Sequence, residues 1–210
     1  MLEIVALSFW VSGWALLLAC LIGIPLGTWL GLFPARHQVV NWLISAVVFT
    51  GMGLPPVVVG LVVYMLLSRS GILGGLGWLF TPSGMIFAQT ILATPLVLGF
   101  TQSALEGLDP DLRLQIRSLG ASRWQESLTA LREVQNGLLA AILAGFGAII
   151  SEVGAVLLVG GNIDGATRVL TTAIVLETRK GNFELALGLG AILLSLALTT
   201  NLLVLRLRKG

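Results

Sequence analysis

The residue of this sequence best placed to do chemistry is Glu152, a single carboxylate inside the apolar run Ile149-Ile150-Ser151-Glu152-Val153-Gly154. An ionised carboxylate in hydrocarbon costs several kcal/mol unless it is paired or hydrated. Glu152 is therefore expected to face a helix-bundle interior or a wet cavity, in a pairing or gating role, with Arg168 as its expected partner. The other reactive types are sparse. His37 is the only histidine, in a short turn beside Arg36. Cys20 is the only cysteine and lies in an apolar run, where it reads as a small packing side chain. The lysines, Lys180 and Lys209, do not follow glycine, and no phosphate-binding G-x-x-x-x-G-K-[ST] loop exists. No catalytic constellation and no metal-ligand set is expected. Any nucleotide site must come from another chain.

A second informative region is polar. Between Glu106 and Gln135 the chain carries Asp109, Asp111, Arg113, Arg117, Arg123, Glu126, Arg132 and Glu133. Asp109-Pro110 opens a helix well, with a capping side chain followed by proline at the first helical position. Asp111 then sits where the helix dipole favours an anion. Leu112, Ile116 and Leu119 form an apolar stripe. Gly120 breaks the run, and Ala121-Ser122-Arg123-Trp124 starts a second short helix with Ser122 as its cap. Two short helices around a glycine elbow make a knob suited to docking on a soluble partner.

These groups must be positioned by membrane helices. The chain has 210 residues, 56% hydrophobic and 10% charged, whereas soluble domains carry about 25% charged residues. The net charge of +2 supports no nucleic-acid footprint. Crossing about 30 Å of hydrocarbon needs roughly 20 apolar residues. Five segments qualify, near residues 5–33, 40–67, 85–105, 138–159 and 183–205. The first is too long and lacks the basic start of a signal peptide, although residues 1–10 could form a separate interfacial helix. A mixed linker spans about 160–182. Its apolar patch, Val169 to Leu176, is too short to span and is expected to dip into the membrane or lie on it.

The distribution of Lys and Arg sets the expected orientation. With the N-terminus outside, Arg36, the four arginines of the polar loop, Arg206, Arg208 and Lys209 face the cytoplasm. Arg69, Arg168, Arg179 and Lys180 face out. The C-terminus is then inside. Gly23, Gly27 and Gly31 recur every four residues, a spacing that lets another helix approach closely. Packing within the chain is favoured over a dimer seam. Gly51, Gly53, Pro55, Pro56 and Gly60 interrupt the second span. Adjacent prolines remove backbone donors, and such a break in lipid needs protein or a wet cavity beside it. Thr50, Gly51, Pro55, Pro56, Ser151, Glu152 and Thr171 are accordingly the candidates for a path or gate.

Leu119-Gly120-Ala121-Ser122-Arg123-Trp124 resembles the cytoplasmic coupling loop of ABC importer permeases, with Gly120 at the family's glycine. Leu114, Gln115 and Ile116 stand where that family usually has acidic-Ala-Ala. Ala144-Gly145-Phe146-Gly147, Ser151-Glu152-Val153-Gly154-Ala155-Val156, Val159-Gly160-Gly161-Asn162-Ile163 and Thr167-Arg168-Val169-Leu170-Thr171-Thr172-Ala173-Ile174 follow in order. They continue into Leu176-Glu177-Thr178 and Lys180-Gly181-Asn182-Phe183. This set is similar to the tungstate-type branch of the molybdate/tungstate/sulfate permeases, and Leu131-Arg132-Glu133 fits that branch. Ala148 stands where many relatives have arginine. Leu54-Pro55-Pro56-Val57-Val58-Val59-Gly60 resembles the second core helix of the superfamily.

The resemblance, which covers nearly the whole chain, implies an all-α type I importer domain forming one unit over 1–210. It implies a homodimer with two ATPase subunits on the coupling loops and an extracytoplasmic oxyanion-binding protein. ATP-Mg would reside on the ATPase, with no cofactor in this chain. The setting would be a bacterial or archaeal cytoplasmic membrane and its lipid. Tungstate is the first-choice cargo, with molybdate or sulfate as alternatives. A carboxylate would repel such anions, so Glu152 is expected to pair or gate and not to touch the cargo. An ion-coupled secondary transporter would want intramembrane acidic or histidine relays and inverted repeats, and one deep carboxylate is a poor match. A scaffolding protein needs neither a broken helix nor a docking knob.

Overall fold

The computed structural model describes residues 1–34 and 37–207. Arg36, Arg208 and Lys209, which entered the expected charge asymmetry, lie outside the described residues. Among the described residues there are ten α-helices and no strand. They are α1 (Leu2–Leu32), α2 (Gln38–Met52), α3 (Pro56–Leu67), α4 (Pro82–Glu106), α5 (Pro110–Ser118) and α6 (Arg123–Glu133). The remainder are α7 (Gln135–Ile150), α8 (Gly154–Gly160), α9 (Leu170–Arg179) and α10 (Phe183–Leu207).

Three helices, α1, α4 and α10, are long and apolar enough to cross a membrane unbroken. α1 starts at Leu2, so residues 1–10 are not a separate helix. The second expected span is two helices, α2 and α3, bent by 93°. Gly53 and Leu54 close α2 on the carbonyls of Thr50 and Gly51. Pro56 takes the first position of α3, where its missing N–H would have had no helical partner anyway. The proline break foreseen from the sequence is thus a right-angled turn.

The fourth expected span needs correction. It is not one helix over 138–159: α7 ends at Ile150 and α8 begins at Gly154. The 16 residues of α7 rise about 24 Å, short of the roughly 30 Å a span needs. At its other end α7 follows α6 across Val134 with a bend of 76°. The described residues therefore offer three unbroken spans, or five if each bent pair counts as one.

α1 and α4 run parallel. Val11 packs near Met85, Ala19 near Ala93 and Val97, and Leu32 near Leu105. The glycine repeat makes this approach possible. A Cβ on Gly27 would lie 2.6 Å from the Leu98 carbonyl oxygen, and one on Gly31 would lie 3.0 Å from that of Gln102. Lipid offers no hydrophobic drive between helices, so close backbone contact supplies the attraction. The repeat serves packing within the chain, as expected. α7 returns antiparallel along α4, with Gly145 against Val97 and Gly137 against Ala104. α10 leaves Leu187, Leu194 and Leu198 exposed, an arrangement suited to a lipid solvent.

Candidate functional site

The polar loop folds as the local chemistry dictates. The Asp109 carboxylate accepts from the Asp111 amide at 2.8 Å, and Pro110 starts α5. Gly120 has φ +77°, a left-handed conformation that disfavours any side chain. Ser122 and Gln125 form a reciprocal capping box at the start of α6, with the Ser122 amide donating to Gln125 Oε1 at 2.8 Å. The result is a helical hairpin, α5–α6, at the C-terminal ends of α1 and α4. Its apolar face joins Leu32 and Leu105 through Leu108, Leu112, Ala130 and Leu131. Leu114 and Leu119 remain exposed on the hairpin.

A buried ion cluster braces the hairpin. Glu126 is 3% exposed. Its two oxygens accept from Arg117 Nε at 3.0 and 3.1 Å, and Arg117 Nη2 lies 2.9 Å from Oε1. Arg113 Nη2 lies 3.6 Å from the same carboxylate and donates to the Leu32 carbonyl at the end of α1. One carboxylate of α6 is thus tied to two guanidiniums of α5, and one of those reaches α1. The sequence reading missed this cluster. Its only signal was the i,i+4 spacing of Arg113 and Arg117, which puts both on one helix face.

The two helix breaks meet inside the bundle. A Cβ on Gly154, in the first turn of α8, would sit 2.6 Å from Val57 in the first turn of α3, and one on Gly60 would sit 2.5 Å from Ala155 Cα. Carbonyls freed at the α7–α8 break find side-chain donors from other helices. Gln89 of α4 donates to the Ile149 carbonyl at 3.0 Å, and Thr171 of α9 donates to that of Glu152 at 2.9 Å. The Glu152 carboxylate accepts from the Ala155 amide at 2.9 Å, so it caps α8. The expected Glu152–Arg168 pair does not form. Arg168 Nη1 pairs with Asp164 at 2.8 Å, because the turn over residues 164–167 brings Asp164 back within reach.

The family model for the binding-protein-dependent transport system inner membrane component matches residues 23–209. The chain belongs to this family. It is 44% identical over 213 residues to a probable anion ABC transporter permease protein of Haloferax volcanii, covering 99% of this chain and 90% of that one. It is 38% identical over 206 residues to the tungstate uptake system permease protein TupB of Peptoclostridium acidaminophilum, covering 98% and 89%. It is 31% identical over 186 residues to the molybdenum transport system permease protein ModB of Escherichia coli, covering 82% and 77%.

As an ABC importer permease the chain is a multi-pass membrane component and not an enzyme. It belongs with an ATPase and a substrate-binding protein. The permease brings several of the sequence-predicted path residues together and leaves others apart. Pro55 and Pro56 open α3 beside the α7–α8 break. Ser151, Glu152 and Thr171 lie in or against that break, and Ser151 is exposed with its hydroxyl returned to the Gly147 carbonyl at 2.7 Å. Thr50 and Gly51 sit on the separate α2 arm, where Gly51 packs on Pro95. Gln89, Ser8 and Ser12 line a small enclosed cavity with Thr171, and the sequence reading did not single them out. Trp124 lies beside α1, lining a cavity with Pro25 and Trp29.

Proposed function

We propose that this permease is one half of a homodimeric importer that carries tungstate into the cytoplasm. The Leu119–Trp124 elbow of the α5–α6 hairpin docks a separate ATPase that binds ATP-Mg, and an extracytoplasmic oxyanion-binding protein delivers the cargo. The observation that carries this reading is the braced hairpin. A handle that transmits force must be rigid toward its own spans and free toward its partner. The Glu126 cluster supplies the first, and the exposed Leu114 and Leu119 supply the second. The N-terminus lies outside and the C-terminus inside, with the hairpin and its arginines on the cytoplasmic side. Toward the second protomer the chain presents Gly147, Ala148 and Ser151, small residues left exposed on α7 and at its break. They suit a path wall that an anion can pass. Glu152 keeps its charge on the start of α8, away from the cargo.

ATP binding would close the ATPase dimer and drive the hairpins, shifting the spans between two states. The similarity to the tungstate and anion permeases supports the cargo. The test is uptake by the permease, its ATPase and its binding protein reconstituted in liposomes, with tungstate, molybdate and sulfate in parallel. Gly120→Trp is expected to abolish uptake while leaving membrane insertion and ATP hydrolysis intact, since a side chain at φ +77° distorts the elbow. Normal ATP-dependent uptake by that variant would refute the docking role. Uptake by the permease alone on a proton gradient would refute the importer reading.

A further inference from the structure

Two cavities meet where α1 leaves the membrane. One, of about 480 Å³, is lined by Arg113, Arg117 and Arg123 together with Phe33 and Pro34. The other, of about 210 Å³, is lined almost wholly by apolar groups, among them Pro25, Trp29, Trp124, Leu128 and Leu131. Phe33 is common to both. The apolar cavity begins at Ile24, two turns before α1 ends at Leu32, so it runs roughly 12 Å back along the span.

The charges in the first cavity do not balance. Three guanidiniums face one carboxylate, Glu126, which engages only Arg113 and Arg117. Arg123 makes no ion pair among the described residues and lies 5.4 Å over the Phe33 ring. Arg113 carries a buried Nε with no hydrogen-bond partner. An anion with several oxygens would use these donors. A free anion would leave the adjoining groove, with Trp29 and Trp124 exposed, to other company. A ligand matching both cavities has an anionic head and an apolar tail.

We propose that the paired cavities form a binding site for an anionic phospholipid. Its phosphate sits among Arg113, Arg117 and Arg123, and one acyl chain lies along Pro25, Trp29 and Trp124. The proposal needs the membrane placement of α1, and it shares Arg123 and Trp124 with the elbow proposed to dock the ATPase, so it rests on their side chains turning toward Phe33 and α1. A lipid held there wedges α6 against α1 and so stiffens the base of the hairpin.

The test uses the purified permease–ATPase complex and native mass spectrometry of retained lipid. Phosphatidylglycerol, phosphatidylcholine and inorganic phosphate are compared as ligands. Phosphatidylglycerol is expected to be retained roughly 30-fold better than phosphatidylcholine, given two unbalanced cationic charges at the membrane surface. Arg123→Gln should remove most of that preference and leave phosphatidylcholine unchanged, and Arg123→Lys should restore part of it. Trp29→Ala should lower retention of both lipids. Arg69→Gln, exposed beyond the far end of α3, should match wild type. Equal retention of the two lipids, or full preference in Arg123→Gln, would overturn the proposal. Displacement of phosphatidylglycerol by millimolar phosphate alone would also overturn it, by showing an adventitious anion pocket without a lipid tail.

Discussion

Replacing Glu126 by glutamine removes the charge that holds the hairpin together while keeping its shape. Taking one partner from a fully buried ion pair costs about 3–5 kcal/mol, because the remaining charge is stranded. Here the carboxylate is buried, but the side chain of Arg117 is 50% exposed and that of Arg113 is 24% exposed. Water screens part of the stranded charge, and glutamine keeps one acceptor oxygen, so the cost falls to about 2 kcal/mol. That corresponds to a roughly 30-fold rise in hairpin opening. The assay is amide hydrogen exchange over α5 and α6 in the ATPase complex, read beside cargo moved per ATP hydrolysed. Exchange should quicken by about that factor, and the transport ratio should fall. Glu133→Gln, at an exposed position on the same helix, should do neither. Wild-type exchange in Glu126→Gln would show that the cluster braces nothing.

Gly27→Val forces a side chain onto the Leu98 carbonyl and should destabilise the permease by about 3 kcal/mol in thermal unfolding in detergent. Gly13→Val, where no atom lies within 4 Å of the added Cβ, should barely move the midpoint. Glu152→Ala removes the cap on α8, at about 1 kcal/mol, and should reduce uptake without weakening ATPase binding. Glu152→Gln should retain uptake, and equal loss in both variants would assign the effect to charge. Glu177 is held below the ordinary carboxylate value by hydrogen bonds from Asn182 and Lys180. Its depressed folded-state value stabilises the α9–α10 turn above the ordinary value, and that contribution is lost as pH falls through the folded one. Local hydrogen exchange at residues 177–182 should therefore rise on acidification below about pH 4.5, and Glu177→Gln should flatten that response.

Features decided within a few neighbouring residues were legible in the sequence alone. The caps at Asp109 and Ser122, the Gly120 elbow and the proline break before α3 each depend on local backbone chemistry, and each stands in the structure. The apolar runs identified an all-helical membrane chain, since composition alone reports the solvent. The α7–α8 break escaped notice because Ser151, Glu152 and Val153 include neither proline nor a polar cluster, and hydropathy averages over them. What ends that helix is distant support: Gln89, 60 residues before its Ile149 acceptor, and Thr171, 19 residues after Glu152. Ser8 accepts from the Leu170 amide across 162 residues, a contact no pattern of spacing announces. The partners of Glu126 were likewise settled by which helix faces which, whereas Arg168 took Asp164, four residues away. Tertiary packing fixed those choices, because a charge is satisfied by whatever lies within a few ångströms, however far away it is along the chain.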